Sequence, residues 1–339
     1  MYRRFFALVA IGIILVFAVI GTWKANASSN AGSNTIYLPL IANVPPGPTL
    51  GGCSVFPADS IFNKRIDALP VDANSNTYIN FIGASTGLHP DFGANWNGGP
   101  FGIPYVVVPQ SQPNVPVSFT YSSESDPGPY PIPPNAPIEG GASSTGDRHV
   151  LVLQQGTCML YEMYYAFPQN GGASWTAGSG ATWSLGSNAL RPAGWTSADA
   201  AGLPMLPLLV RYDEVAAGEI KHAIRFTING TNGTYIWPAR HRTTSPYNAN
   251  LPPMGQRFRL KASVDISRFS HDTQVILTAF KRYGIIMADN GSNWYISGAP
   301  DSRWNDSTLV SEFKQIHGSD FEAVDESSLM INSNSGQSK

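Results

Sequence analysis

Two residues able to do acid–base chemistry interrupt an otherwise apolar stretch. In GDRHVLVLQQGTCMLYEMYY, residues 146–165, His149 and Glu162 flank runs of valine, leucine and methionine. If Gln155 and Gly156 form a two-residue hairpin turn, Leu153 faces Cys158, Leu151 faces Leu160 and His149 faces Glu162. Side-chain alternation then puts His149, Leu151, Leu153, Cys158, Leu160 and Glu162 on one face and Val150, Val152, Met159 and Tyr161 on the other. Both faces are apolar, so the hairpin should be central and covered on both sides. Opposed Cβ atoms lie about 5 Å apart, which permits a His149–Glu162 hydrogen bond. A histidine held against a carboxylate is a general acid or base, a pair of metal ligands, or a structural polar contact at a sheet rim.

Further candidates lie along the chain. In GEIKHAIRFTI, alternation places His222 among Ile220, Ile224 and Phe226, an unusual setting for an imidazole without a polar partner. The segment WPARHR gathers Trp237, Arg240, His241 and Arg242; guanidinium groups there suit an acidic or polar sugar, and the indole suits stacking on one. His89 and Asp91 form a loop pair, and with His149, Glu162, His222 and His241 they could assemble a metal site. No short ligand signature such as H-E-x-x-H or C-x-x-C occurs, so no cofactor is expected and a divalent metal is the alternative. Glu139, Asp213 and Glu214 would supply a second carboxylate for glycosidase chemistry, although acids at turns are usually solvated. Gly83-Ala84-Ser85-Thr86-Gly87 fits G-x-S-x-G but follows a helix-like segment instead of a strand, which argues against a serine hydrolase.

The elements that must position these groups are mostly short strands. Gly 33 and Pro 27 in 339 residues, with only 13% charged residues, describe many turns and few long helices. Strands are expected over Tyr105–Val108, Val117–Tyr121, the hairpin, Leu208–Tyr212, Ile220–Ile228, Arg257–Ala262 and Ile285–Met287. Helices are expected over His271–Tyr283, capped by Ser270 and ended by Gly284, over Asp306–His317, and briefly around Asn76–Ile82. The fold class is therefore mainly β: an antiparallel β-sandwich or jelly roll with two or three short helices, one near the C-terminus.

Arg3 and Arg4, an apolar run from Phe5 to Ile20 and Ala25-Asn26-Ala27 read as a secretory signal over 1–27, with an uncleaved membrane anchor as the alternative. Residues 28–50 read as a linker, 51–325 as one β-rich domain and 326–339 as a disordered tail. Cys53 and Cys158 in an exported chain are expected to form a disulfide. A net charge of −2 without a Lys/Arg stripe argues against nucleic acid as a partner. After signal cleavage no stable membrane insertion is expected.

At ESDPGPYPIP, GDRHVLVL, GWTSADAAGLP, HAIRFT, PPMGQRFRLK and ADNGSNWYISG the chain resembles a family of exported bacterial proteins of unknown function, over most of its length after the linker. The resemblance implies an exported globular unit and carries no activity to any residue. The expectation is a secreted carbohydrate-active protein, a polysaccharide hydrolase or lyase. In it His149 and Glu162 form the acid–base pair, His222 and His241 assist proton transfer, and Arg240, Arg242, Trp237 and His89 bind substrate. The alternative is a non-catalytic cell-surface glycan-binding or adhesion module.

Overall fold

The apolar hairpin organises the structure. In the computed structural model, which describes residues 47–96 and 99–339, strands Val150–Gln154 and Met159–Tyr164 are the two central strands of a four-stranded sheet. Ser179–Ser184 pairs antiparallel on one side, and Tyr105–Val108 pairs parallel on the other. Leu151, Leu153 and Leu160 face the main core, while Val150, Val152 and Met163 face a second, smaller one. The hairpin is thus covered on both sides, as its sequence requires.

Its register differs from the expected one by two residues. Leu151 opposes Glu162 and Leu153 opposes Leu160, because the turn takes four residues, Gln155–Cys158, not two. Gly156 and Cys158 both adopt positive φ, and Cys158 is drawn out of the ladder to form the expected disulfide with Cys53. A shift of two preserves alternation, so every side chain keeps its face. His149 falls just before the strand and does not oppose Glu162.

The main core is shared with a six-stranded sheet in the order Phe321–Val324, Arg257–Leu260, Ile285–Asn290, Ile224–Ile228, Tyr295–Ser297, His89–Asp91. This sheet is mixed, not antiparallel. Ile224–Ile228 runs parallel to Ile285–Asn290, and the crossover between them carries the longest described helix, His271–Arg282. That helix buries Val275, Ile276, Leu277, Ala279 and Phe280, the stripe its periodicity predicts. Ser270 sits at its N-cap position but gives its hydroxyl to Glu312 Oε2 (2.7 Å) on the neighbouring helix Asp306–Phe313. Gly284 ends the helix with φ +70°, and any Cβ there would collide with the Phe258 carbonyl. The smaller core packs Tyr130 and Ile132 of the proline-rich segment, together with Trp175 and Ala177 of a three-stranded sheet, against the hairpin. The chain is therefore mainly β, built from several sheets with few helices.

Other expectations meet local corrections. Leu208–Tyr212 is no strand: Leu206–Leu208 is a 3₁₀ turn and Tyr212–Ala216 a helix. The segment is buried, which explains its apolar run, but only Val210 bridges a strand-like partner, Gly298, in parallel. The strand expected from Ile220 begins at Ile224, leaving His222 outside it. The tail 326–339 is not disordered. Gln337 bridges to Ser60 and Ser335 to Ala189, and the Trp237 indole N–H donates to the Ser335 carbonyl (2.8 Å). Polar composition hid these backbone pairings. The signal segment and most of the linker lie outside the described residues, although Thr49–Leu50, assigned to the linker, pairs with Cys53–Ser54. No described helix is long and apolar enough to cross a membrane. The disulfide, closing 105 residues, fits an oxidising compartment.

Candidate functional site

The expected acid–base pair is not a pair. Glu162 is buried, accepting from the Trp183 indole (2.9 Å) and from the backbone N–H groups of Met205 and Leu206 (3.0 and 2.8 Å). It ties the hairpin to the buried 205–206 segment, and burial raises its pKa. His149 instead meets Glu139, whose Oε2 lies 2.6 Å from its Nδ1, while its Nε2 lies 2.9 Å from the Ala198 carbonyl. Both partners are acceptors, so both ring nitrogens carry hydrogen and the ring is an imidazolium. Burial alone would lower the His149 pKa, but the Glu139 carboxylate outweighs it and raises the pKa to about 9.

The other expected residues divide. His222 is buried against Arg211, Glu214 and the Ala223 carbonyl, a structural cluster behind the helix Tyr212–Ala216. Arg240 is also buried, donating to the carbonyls of Arg191 and Ser333 and to Asn334 Oδ1, which leaves no free edge for a sugar. Trp237 is half-buried against the tail, and His89 stacks on Tyr295 with ring centroids 4.3 Å apart. Among the described residues no group of three or more His, Cys, Asp or Glu is arranged to hold a metal. His241 and Arg242 do reach a cleft.

That cleft has a volume of about 610 Å³ and is lined by residues of the 196–200 and 241–244 loops, by Tyr121 and Glu124, by Asp147 and Tyr164, and by Asp289 and Asn290. Its chemistry converges on one residue, Ala200. The Ala200 N–H donates to Asp289 Oδ2 (3.1 Å), and the Ala200 carbonyl accepts from His241 Nδ1 (2.8 Å). Because a carbonyl can only accept, Nδ1 carries the hydrogen, and a neutral His241 presents a bare Nε2 lone pair. That Nε2 lies 3.7 Å from Glu124 Oε2. His149 lies against the Ala198 carbonyl, two residues earlier, so both histidines contact the same loop.

Beneath the loop, Arg225 lies between two carboxylates. Its Nε is 3.7 Å from Asp199 Oδ2, and its Nη2 is 3.9 Å from Asp289 Oδ2. Asp199 Oδ1 accepts from the N–H groups of Ala201 and Leu203 (3.1 and 3.2 Å), but Asp199 Oδ2 and Arg225 Nε have no hydrogen-bond partner. The charges explain what this arrangement does. The His149 imidazolium is matched by Glu139, and Arg225 is the guanidinium that faces both aspartates. Burial raises the pKa of each aspartate, opposed by Arg225, and Asp289 raises that of Asp199 further. Burial in a low dielectric, with two carboxylates near one guanidinium, favours the protonated form of these aspartates. Asp289 is the partly exposed member, with 26% of its side chain accessible, whereas that of Asp199 is fully buried. Asp289 can therefore deliver a proton into the cleft, and Asp199 can hold or return one from behind.

Asp289 was the least visible of these residues in the sequence. It follows the apolar run Ile285–Ala288, and an acid closing a buried strand is the signal that could have marked it. Asp199 and Glu124 sit in loops whose convergence only the fold creates. No protein-family model, no curated protein and no solved structure matches the chain.

Proposed function

We propose that this protein is an exported glycoside hydrolase that acts on a neutral polysaccharide, on a scaffold best described as a β-sandwich built around the doubly covered hairpin. The observation that carries the reading is Ala200, whose N–H holds Asp289 and whose carbonyl holds His241 at one cleft. Asp289, its pKa raised by burial, is the general acid: it protonates the glycosidic oxygen as the bond from that oxygen to the anomeric carbon breaks. His241 Nε2 is the base; it takes a proton from the water whose oxygen bonds to the anomeric carbon, and Glu124 stabilises the imidazolium that results. The proton then leaves His241 for solvent, and Asp289 is reprotonated, which closes the cycle.

The balance of charge favours hydrolysis over elimination. A lyase acting on a uronate needs cations to neutralise the substrate carboxylate, whereas Glu124, Asp147, Asp199 and Asp289 line this cleft against only His241 and Arg242. The arginine best suited to the task in the sequence, Arg240, is engaged inside the protein. The test is reducing-end release from a panel of neutral polysaccharides by the wild type and by Asp289→Asn. We expect release by the wild type on at least one substrate and a loss of about 10²-fold or more in the variant, with an unchanged melting temperature. Release that survives Asp289→Asn would refute the assignment.

A further inference from the structure

The cleft is bordered by tyrosines that proton transfer does not need. Tyr121 and Tyr164 both line it; Tyr121 is 55% exposed, and beside Tyr164 lies Tyr165, 47% exposed, with ring centroids 5.9 Å apart. Phe167 continues the series, its centroid 4.8 Å from that of Tyr165 and covered by the buried Arg148 guanidinium at 4.2 Å. Folding alone does not account for this row, since exposing large rings gains no burial.

Two backbone features hold the row in place. Tyr165 adopts φ +53°, the left-handed region that a bulky residue enters only under constraint. Its N–H donates to the carbonyl of Asp147, itself a cleft residue (2.8 Å), and Arg148 locks the other flank by donating to the carbonyls of Ala142, Ser144 and Ala166. Between Tyr121 and Tyr164 lies Gly178, whose carbonyl accepts from the Tyr121 N–H and whose N–H donates to the Tyr164 carbonyl (both 2.8 Å). A Cβ at Gly178 would stand 2.7 Å from Tyr164 Cδ1, so the glycine makes room for the ring. Strain at Tyr165 and a glycine beside Tyr164 both serve to present aromatic faces at the cleft mouth.

We infer that Tyr121, Tyr164 and Tyr165 form a platform that stacks on successive pyranose rings of a glycan extending out of the cleft. The inference rests on the glycan reading of the cleft and adds its substrate class: a chain long enough to reach beyond the cleaved bond. A pyranose offers an apolar C–H face to a ring and hydroxyls to the polar lining beside it, which suits flat aromatics next to Glu124, Asp147 and Asn290. A row of single rings beside polar groups is too small an apolar patch for a protein partner of ordinary interface size.

The experiment measures binding by Asp289→Asn protein, so that turnover does not interfere, with cello-, xylo-, manno- and chito-hexaoses and the corresponding disaccharides. At least one hexaose should bind. Tyr121→Ala and Tyr165→Asn should each weaken its binding by about ten-fold and leave disaccharide binding unchanged. Asn tolerates the left-handed region, so Tyr165→Asn should melt no lower than its parent, a combination that a merely structural tyrosine would not give. Tyr165→Phe should retain hexaose affinity. The platform is refuted if no hexaose binds, or if one binds with equal affinity to the tyrosine variants. Binding without hydrolysis by the wild type would overturn the enzymatic reading and leave the platform standing, whereas hydrolysis with unaffected tyrosine variants would do the reverse.

Discussion

Glu139→Gln tests the electrostatics behind the cleft loop. In the wild type the buried His149 has a folded-state pKa of about 9, against an ordinary value of 6.5, which corresponds to about 3 kcal/mol of differential stabilisation of the charged ring. Because the folded value is raised, this stability is fully present below pH 6.5, fades as the pH rises and is gone above about 9. Glutamine keeps an acceptor near Nδ1 but removes the charge. Burial and the nearby Arg225, both of which lower the pKa of His149, should then dominate and take it below the ordinary value. The assay is a series of thermal melts from pH 6 to 9.5 with both proteins, joined to an NMR titration of the His149 ring. The wild type should lose about 3 kcal/mol, or about 6 °C, across this range relative to the variant. Parallel pH–stability curves, or a His149 that titrates near 9 in the variant, would refute the reasoning.

Two further outcomes follow from the fold. Glu326→Ala removes the carboxylate 3.2 Å from the fully buried Arg257; leaving that guanidinium without its counter-charge should cost about 3–5 kcal/mol, read as an earlier midpoint in urea. Reducing the Cys53–Cys158 bridge releases a 105-residue loop and should cost about 5 kcal/mol on the chain-entropy account, so the melting temperature should fall on addition of dithiothreitol and be insensitive to it in a Cys53→Ser/Cys158→Ser variant.

Local pattern carried much of the architecture. The central hairpin, its two buried faces, the helix His271–Arg282 and the disulfide all follow from alternation, helical spacing and two cysteines in one chain. The hairpin also shows where pattern stops. Alternation fixes faces but not a register slip of two, and only the four-residue turn decides that His149 meets Glu139 and not Glu162. The polar residues in apolar segments stand out in the sequence, but their surroundings in the fold differ. Glu162 satisfies backbone N–H groups, His222 belongs to a buried cluster, and His149 props the loop that His241 also grips. Asp199, Arg225 and Asp289 lie far apart in the chain, and no local spacing records that they share a charge. Parallel pairing of Ile224–Ile228 with Ile285–Asn290 is likewise not legible in local pattern, because short apolar strands read alike whichever way they pair.

If the Ala200-centred cleft adds water across a glycosidic bond, oxygen from water ends up in the products, and the decisive experiment is the reaction in ¹⁸O-labelled water with the neutral polysaccharide that the wild type cleaves, followed by mass spectrometry. One ¹⁸O should appear at each new reducing end, with no unsaturated sugar, and no labelled product should come from Asp289→Asn or His241→Ala proteins that melt like the wild type. Unlabelled, unsaturated ends, or labelled ends from either variant at the wild-type rate, would contradict hydrolysis at this cleft.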